Sequence, residues 1–443
     1  MANSRKSQSP DLVAVVESTL RRAVLPGERL VLGLSGGLDS VVLLHLLKRI
    51  SPAADSSLSC LHVNHKISQN ASTWAGFCSE LCEKWHVSLE VVEVDISPHL
   101  SSGMEAAARI ARYAAFEKVA AEHVVLAQHQ DDQAETLLLQ LFRGAGPKGL
   151  SAMGESTRFE SRTVLRPLLG ISRKTLEAYA RENQLEWISD ESNSDQRFDR
   201  NFVRHSLFPL IGERFPGFRE TLARSSRHFS EAALLLDELA AIDAAGAIIG
   251  KTLNASRLRE LSKERAKNLL RHYLAENHVR MPSASRLEEM LKQLSAARQD
   301  AAISMTHDGL EIKCYRGRIC IVEPWSSCSG LFRVWHGESR MPVPELGGEL
   351  LFEQGVDGLD PAKLLEPVTV RVREGGERFR SAQNRPEKSL KNLFQECGIP
   401  PWQRSRLPLL YCGERLVWVP GIGLDPQYRA QKGWLPRWEP ILS

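Results

Sequence analysis

The stretch Val31-Leu-Gly-Leu-Ser-Gly-Gly-Leu-Asp-Ser40 constrains the chain more than any other. Arg29 to Leu34 reads as a buried strand, and Val41 to Leu47 as the body of an apolar helix, so Ser35 to Ser40 must be the turn between them. Without side chains at Gly36 and Gly37, backbone N–H groups can converge on an oxyanion at the helix N-terminus, where the dipole favours negative charge. Ser35 and Ser40 add hydroxyls. The turn has neither the Lys and spacing of a Walker A loop nor the Gly-x-Gly-x-x-Gly of a dinucleotide fold. It carries Asp39 instead. A carboxylate beside a polyphosphate is repelled unless a cation stands between them, so Asp39 implies Mg²⁺ as the metal partner. The plain alternative is a strand-to-helix turn capped by Ser, Gly and Asp.

Ser-Gly-Gly-x-Asp-Ser directly after a strand resembles the PP-loop of the ATP pyrophosphatases, which cleave ATP to AMP and pyrophosphate. That resemblance implies ATP, held by Ser35, Gly36, Gly37, Leu38, Asp39 and Ser40, but leaves the second substrate open.

At 443 residues the chain is too long for one core. Its 42% apolar and 25% charged residues fit a globular protein. No apolar run approaches the ~18 residues of a membrane span, and the polar first ten residues lack a signal-peptide core, so the expected compartment is the cytoplasm with no membrane partner. None of the eight cysteines forms a Cys-x-x-Cys pair; Cys78 and Cys82, one helical turn apart, read as buried thiols. A net charge of +3 is too small to prove nucleic-acid binding, so any basic footprint must be local.

From Asp11 to Asn183, strands alternate with helices. Helices are expected at Asp11 to Ala23, Ser72 to Trp85, Met104 to Glu122 and Ser172 to Asn183. Further strands are expected at Leu58 to Val63, Leu89 to Val94, Val124 to Ala127 and Thr163 to Arg166. This is the pattern of an α/β fold with a parallel sheet, whose ligands sit at the carboxyl ends of the strands. A break at Ile211 to Phe218 ends this part. Glu220 to Gln299 has helical periodicity, Trp325 to Gly330 reads as a linker, and the last hundred residues look α+β, with a helix near Ser389 to Cys397. The expected division is 1–218 (catalytic), 219–328 (helical) and 331–443 (α+β).

Asp131, Asp132 and Glu135 crowd a helix start. Asp132-Gln-Ala-Glu135 fits a capping box, which would make them structural. His129 precedes them, however, and Glu105, Arg109 and Arg112 share one face of the preceding helix. Two cations and three carboxylates near a phosphate turn suit a substrate site.

Taken in order, several blocks are similar to those of the tRNA(Ile)-lysidine synthase family: His62-Val-Asn-His65, Glu105 to Tyr113, Asp131 to Thr136, Arg143 to Leu150, Arg166-Pro-Leu-Leu169, Asp190-Glu-Ser-Asn193 and Arg200-Asn-x-x-Arg204. The likeness is dense in the first half and looser beyond. It implies ATP-dependent ligation of free L-lysine to C2 of the wobble cytidine in the isoleucine tRNA with a CAU anticodon, through an adenylated tRNA. It further implies that Asp39 holds Mg²⁺, that Asp39, Arg112, Asp132 and Glu135 are catalytic, and that Arg112, His129, Asp132, Glu135 and Arg204 bind substrate; a homodimer is compatible with it. One departure is Gln128-His129, where many members have His-His. Which carboxylate is the general base stays open, as does tRNA contact by Arg371 to Arg406, which holds nine basic and four acidic side chains with Phe394 and Trp402 interleaved. The competing readings are a PP-loop enzyme of tRNA thiolation or amidation, and a catalytically silent tRNA-binding protein. The missing Cys-x-x-Cys counts against thiolation.

Overall fold

The computed structural model describes residues 11–51, 56–68, 70–189, 195, 197–296, 303–325 and 330–440. The chain divides into two compact units, Met1–Leu236 and Asp237–Ser443.

In the first unit, α1 (Leu12–Ala23) is started by Asp11, whose carboxylate accepts from the amides of Val13 and Ala14. Then follow β1 (Arg29–Gly33), α2 (Leu38–Ile50), β2 (Ser57–Asn64), α3 (Ala71–Trp85), β3 (Ser88–Glu93), α4 (Met104–Lys118), β4 (His123–Val125) and α5 (Gln130–Phe142). The short α6 (Pro147–Leu150) leads to β5 (Ser156–Phe159), β6 (Arg162–Leu165) and α7 (Arg173–Glu182), the last capped by Ser172. After it come α8 (Asp199–Phe202), a π-type turn over Val203–Leu207, α9 (Phe208–Arg214) and the long α10 (Phe218–Ala244), whose residues from Asp237 on belong to the second unit.

The sheet order is β3-β2-β1-β4-β6-β5. All pairs are parallel except β5 with β6. The parallel sheet is as expected; the antiparallel four-residue β5 at its edge is an addition to it. Strand alternation gives each face its own core: Leu30, Leu32 and Leu34 pack with α1, α2 and α7, whereas Val31 packs with Phe116 of α4. The chain order reverses between β1 and β4, which opens a crevice at their carboxyl ends. The Gly-rich turn and the start of α5 both lie there.

In the second unit, the helices expected before Gln299 are present as α11 (Ala255–Glu260), α12 (Lys263–Glu276) and α13 (Ala284–Ala296). A sheet that the helical expectation left out packs on them, with strands at 248–249, 252–254, 318–322, 310–315 and 303–307 in that order. These strands are short and punctuated by Gly309 and Gly317, so their alternation was hard to see. Residues 331–440 form two five-stranded antiparallel sheets, whose longest pairing is Gly348–Gly355 with Gly433–Pro440. Trp335 stacks on Phe352 between them at 4.4 Å. The expected helix is α14 (Leu390–Glu396), capped by Ser389. The linker residues 326–329 and the Asp190 to Asn193 block lie outside the described residues.

Candidate functional site

Gly36 has φ +82°, in the left-handed region that glycine tolerates. A Cβ there would come within 2.7 Å of Ile188 Cδ1 and 3.1 Å of Cys78 Sγ, so the conformation calls for glycine and a larger residue would also have to displace these side chains. The carbonyl of Gly36 accepts from the Ile188 amide at 3.0 Å, tying the turn to the segment after α7. Ser35 Oγ lies 3.1 Å from Ser40 Oγ and accepts from the Gly37 amide, while Ser40 Oγ donates to the Gly37 carbonyl. The turn is braced from within. Its N-cap, Gly37, has no side chain to occupy the first-turn amides of α2.

Across the crevice, the capping box sits one turn earlier than the sequence suggested. Asp132 is the third residue of α5 and accepts from the amide of the N-cap residue His129 at 3.0 Å. Glu135 therefore plays no part in capping. It points inward and is 0% exposed.

His129 joins the two acidic elements: its Nε2 lies 3.5 Å from Asp39 Oδ2 and 3.6 Å from Asp132 Oδ2. Burial opposes a charge on this imidazole, but Asp132 and Asp39 outweigh it and raise its pKa. Burial likewise works against the Asp39 carboxylate, and His129, Arg173 and Arg204 overcome it, lowering its pKa. Asp39 Oδ1 is buried with no hydrogen-bond partner. A buried, unpaired carboxylate oxygen beside helix amides is a fitting ligand for a cation.

Glu135 is held by two arginines. Arg204 Nε and Nη2 reach its two oxygens at 2.7 and 3.0 Å, and Arg200 Nε lies 3.2 Å from Oε2. Arg204 also reaches Asp132 Oδ1 at 3.3 Å. Burial pushes the Glu135 carboxyl upward and the guanidinium groups pull it back. Arg200, which the sequence reading quoted without assigning it to the site, further bonds Thr136 and pairs with Glu105. Nearby, Arg219 pairs with Asp131 at 2.6 Å.

Because Glu105 is taken by Arg200 and Arg109 lies over the Tyr113 ring, Arg112 has no ion pair among the described residues. It lines a cleft of about 450 Å³. Ser35, Asp39, Ser40, Arg112 and Asp132 all line that cleft. His129, Glu135 and Arg204 stand behind them and reach it through Asp39 and Asp132. His65 and Trp74 also line it and were not singled out as site residues; their only signal was their place after a strand end. Gln128 accepts from buried Arg166 Nε at 2.5 Å and so serves to pair an arginine.

Four of the nine basic residues of the stretch Arg371 to Arg406 form ion pairs. Arg371 pairs with Glu414, Arg373 with Glu377, Arg378 with Glu387 and Lys388 with Glu396. Phe394 is fully buried in the core, and Trp402 lies edge-on to Tyr315 with Lys313 over its ring. Arg385 and Lys391 remain exposed without an ion pair among the described residues.

A family model for the PP-loop domain matches residues 12–211. A model for the TilS substrate binding domain matches 253–320, and one for the TilS substrate C-terminal domain matches 368–438. The tRNA(Ile)-lysidine synthase of Nitrosomonas europaea is 44% identical over 439 residues, covering 98% of this chain and 96% of that protein. Proteins of the same description from an Azoarcus species and from Burkholderia pseudomallei are 38% and 39% identical, covering 97% and 88% of this chain and 96% and 88% of theirs. At such identity over nearly its whole length, the chain belongs to the tRNA(Ile)-lysidine synthase family.

Proposed function

We propose that this protein ligates lysine to C2 of the wobble cytidine of the CAU-anticodon isoleucine tRNA, using ATP and releasing AMP and pyrophosphate. The observation that carries the reading is the convergence of the glycine turn, Asp39, Arg112 and Asp132 on one cleft. The cytidine must leave its stack to enter it. Its O2 attacks the α-phosphorus of ATP, pyrophosphate departs, and the base is activated as an O-adenylate. The ε-amine of lysine then attacks C2, a proton leaves the nitrogen, and AMP departs with the former O2.

The amides of the turn and the hydroxyls of Ser35 and Ser40 hold the phosphates. Arg112, unpaired in the cleft, stabilises charge on the transferring phosphorus. Among the described residues no set of three or more His, Cys, Asp or Glu converges on a metal position. Mg²⁺ would therefore be held by Asp39 together with phosphate and water oxygens, and when bound it neutralises phosphate charge. The Asp39 oxygen without a partner fits that role.

Supplying a neutral lysine amine at pH 7 from a pKa near 10.4 costs about 4–5 kcal/mol. Asp132 faces the cleft and is our choice of proton acceptor. Glu135, buried under Arg200 and Arg204, orients those arginines, and His129 sets the spacing between Asp39 and Asp132. The division into 1–218, 219–328 and 331–443, the exposed Arg385 and Lys391 as tRNA contacts, the cytoplasmic setting and a homodimer are parts of the same proposal. Thiolation is disfavoured: Cys60, Cys78 and Cys82 are buried away from the cleft lining, and burial pushes the Cys78 thiol up to about 12.

The test is to supply ATP, Mg²⁺, radiolabelled lysine and the tRNA transcript. One lysine should enter the tRNA per AMP and pyrophosphate released. Incorporation of sulfide or ammonia instead, or tRNA binding without AMP release, would refute the proposal.

A further inference from the structure

Arg166 is 4% exposed, yet none of its partners is an acid. Its Nε donates to Gln128 Oε1, its Nη1 to the Gly154 carbonyl and Thr157 Oγ1, and its Nη2 to the Tyr113 hydroxyl. Among the described residues it forms no ion pair, and Arg109 turns a second guanidinium toward the same hydroxyl. A buried cation without a counter-charge is costly to a fold. The bonds to Gly154 and Thr157 brace the approach to β5, but they account for only one end of the guanidinium.

The Nε end meets the cleft. Arginine has donors only, so the Gln128 atom that faces it is the oxygen, and the amide nitrogen on the other side of the same carbon is turned away from Arg166. Gln128 lines the cleft, as does Asp132 at the start of α5. Its Nε2 makes no hydrogen bond to a described residue and is not among the atoms shut off from solvent. The result is an open donor with a buried positive charge behind it, which strengthens the bond that the donor can offer.

Such a donor suits an anionic acceptor, whereas the neighbouring Asp132 suits a cation. Only one of the three reactants carries both signs. The phosphates of ATP are anionic throughout and are served by the turn and Arg112, and the cytosine ring is neutral. A free amino acid is a zwitterion. Resting on the function proposed above, we infer that Gln128 binds the carboxylate of the incoming lysine, with Arg166 as its positioning residue, while the lysine side chain carries its ε-amine to Asp132. This makes Gln128 a specificity-determining residue that selects an amino acid over a simple diamine.

The test uses the full chain and 1,5-diaminopentane, which is lysine without its carboxylate, as a competitor of lysine incorporation. Q128A should raise KM for lysine on the order of 10- to 100-fold, the loss of a hydrogen bond to a charged group. Its inhibition constant for the diamine, its ATP affinity and its rate of tRNA adenylation without lysine should match the parent. Q128E gives Arg166 the acid it lacks and turns a carboxylate on the substrate, so its melting temperature should not fall while KM for lysine rises at least as far. R166K keeps the charge but loses the edge that orients Gln128, and it should raise KM for lysine over the diamine constant in the same direction. Equal losses for lysine and the diamine, or an unchanged KM for lysine, would overturn the inference. Weaker ATP binding or slower adenylation in Q128A would assign the amide to a phosphate and overturn it too. If the unaltered chain incorporates no lysine, the failure lies with the proposed function instead.

Discussion

Arg204 grips Glu135 through one guanidinium edge, Nε and Nη2, at 2.7 and 3.0 Å, and Glu135 is wholly withdrawn from solvent. A buried ion pair adds little against an apolar replacement but is costly to break from one side, by about 3–5 kcal/mol. Glu135→Gln should therefore lower the urea midpoint sharply at unchanged slope, because Arg200 and Arg204 both lose their counter-charge. Arg204→Lys should fall between, since it keeps the charge but loses the fork. An unchanged midpoint in Glu135→Gln would show that the pair is structurally idle.

Asp39 makes a milder prediction for stability. Its Oδ1 is buried without a partner, while His129, Arg173 and Arg204 favour the charged carboxylate, so the two effects oppose each other. Asp39→Asn should leave unfolding free energy within about 1 kcal/mol of the parent. Adenylation should fall by at least ~100-fold, as expected for losing a key electrostatic group, with tRNA affinity largely kept. Loss of tRNA binding with adenylation of bound tRNA intact would contradict the assignment.

These two residues differ in how far the sequence revealed them. Asp39 was legible because the chemistry of its turn is local: a strand, two glycines and an acid within ten residues. The arginine partners of Glu135 were hidden, because Arg200 and Arg204 lie on α8 and the π-type turn far along the chain. The capping box was misplaced by three residues because Asp132 can serve as either end of such a motif, and only His129 N shows which. The pairing of Arg371 was hidden for the same reason, since its partner Glu414 lies outside the stretch Arg371 to Arg406. The alternation of β1 to β4 with helices was fully readable, and the two- and three-residue strands near 248–254 were too short to carry a period.

Gly36→Ala should abolish ATP binding. The left-handed backbone costs a non-glycine residue roughly 1–2 kcal/mol, and the added methyl would meet Ile188 and Cys78. Equilibrium dialysis with ATP checks it, and wild-type affinity in the variant would show that the turn does not hold the nucleotide.

His65 gives a prediction for pH. Its pKa is held near 4 in the fold against an ordinary 6.5, mainly by burial, so below pH 6.5 the unfolded chain takes up a proton that the folded chain refuses. This lowered value costs stability progressively as pH falls from about 6.5 to about 4, and nothing above. Melting temperatures of the parent and His65→Asn should diverge over that window, the parent losing more. Parallel curves would mean that the imidazole is not withheld from protons.

The most direct measurement is mass spectrometry of the nucleoside at anticodon position 34 after incubation with ATP, Mg²⁺, lysine and the CAU-anticodon isoleucine tRNA. The account predicts a nucleoside with the mass of cytidine plus lysine less one water, formed only when both lysine and ATP are present. Unmodified cytidine at that position under conditions where the protein binds both substrates would contradict it.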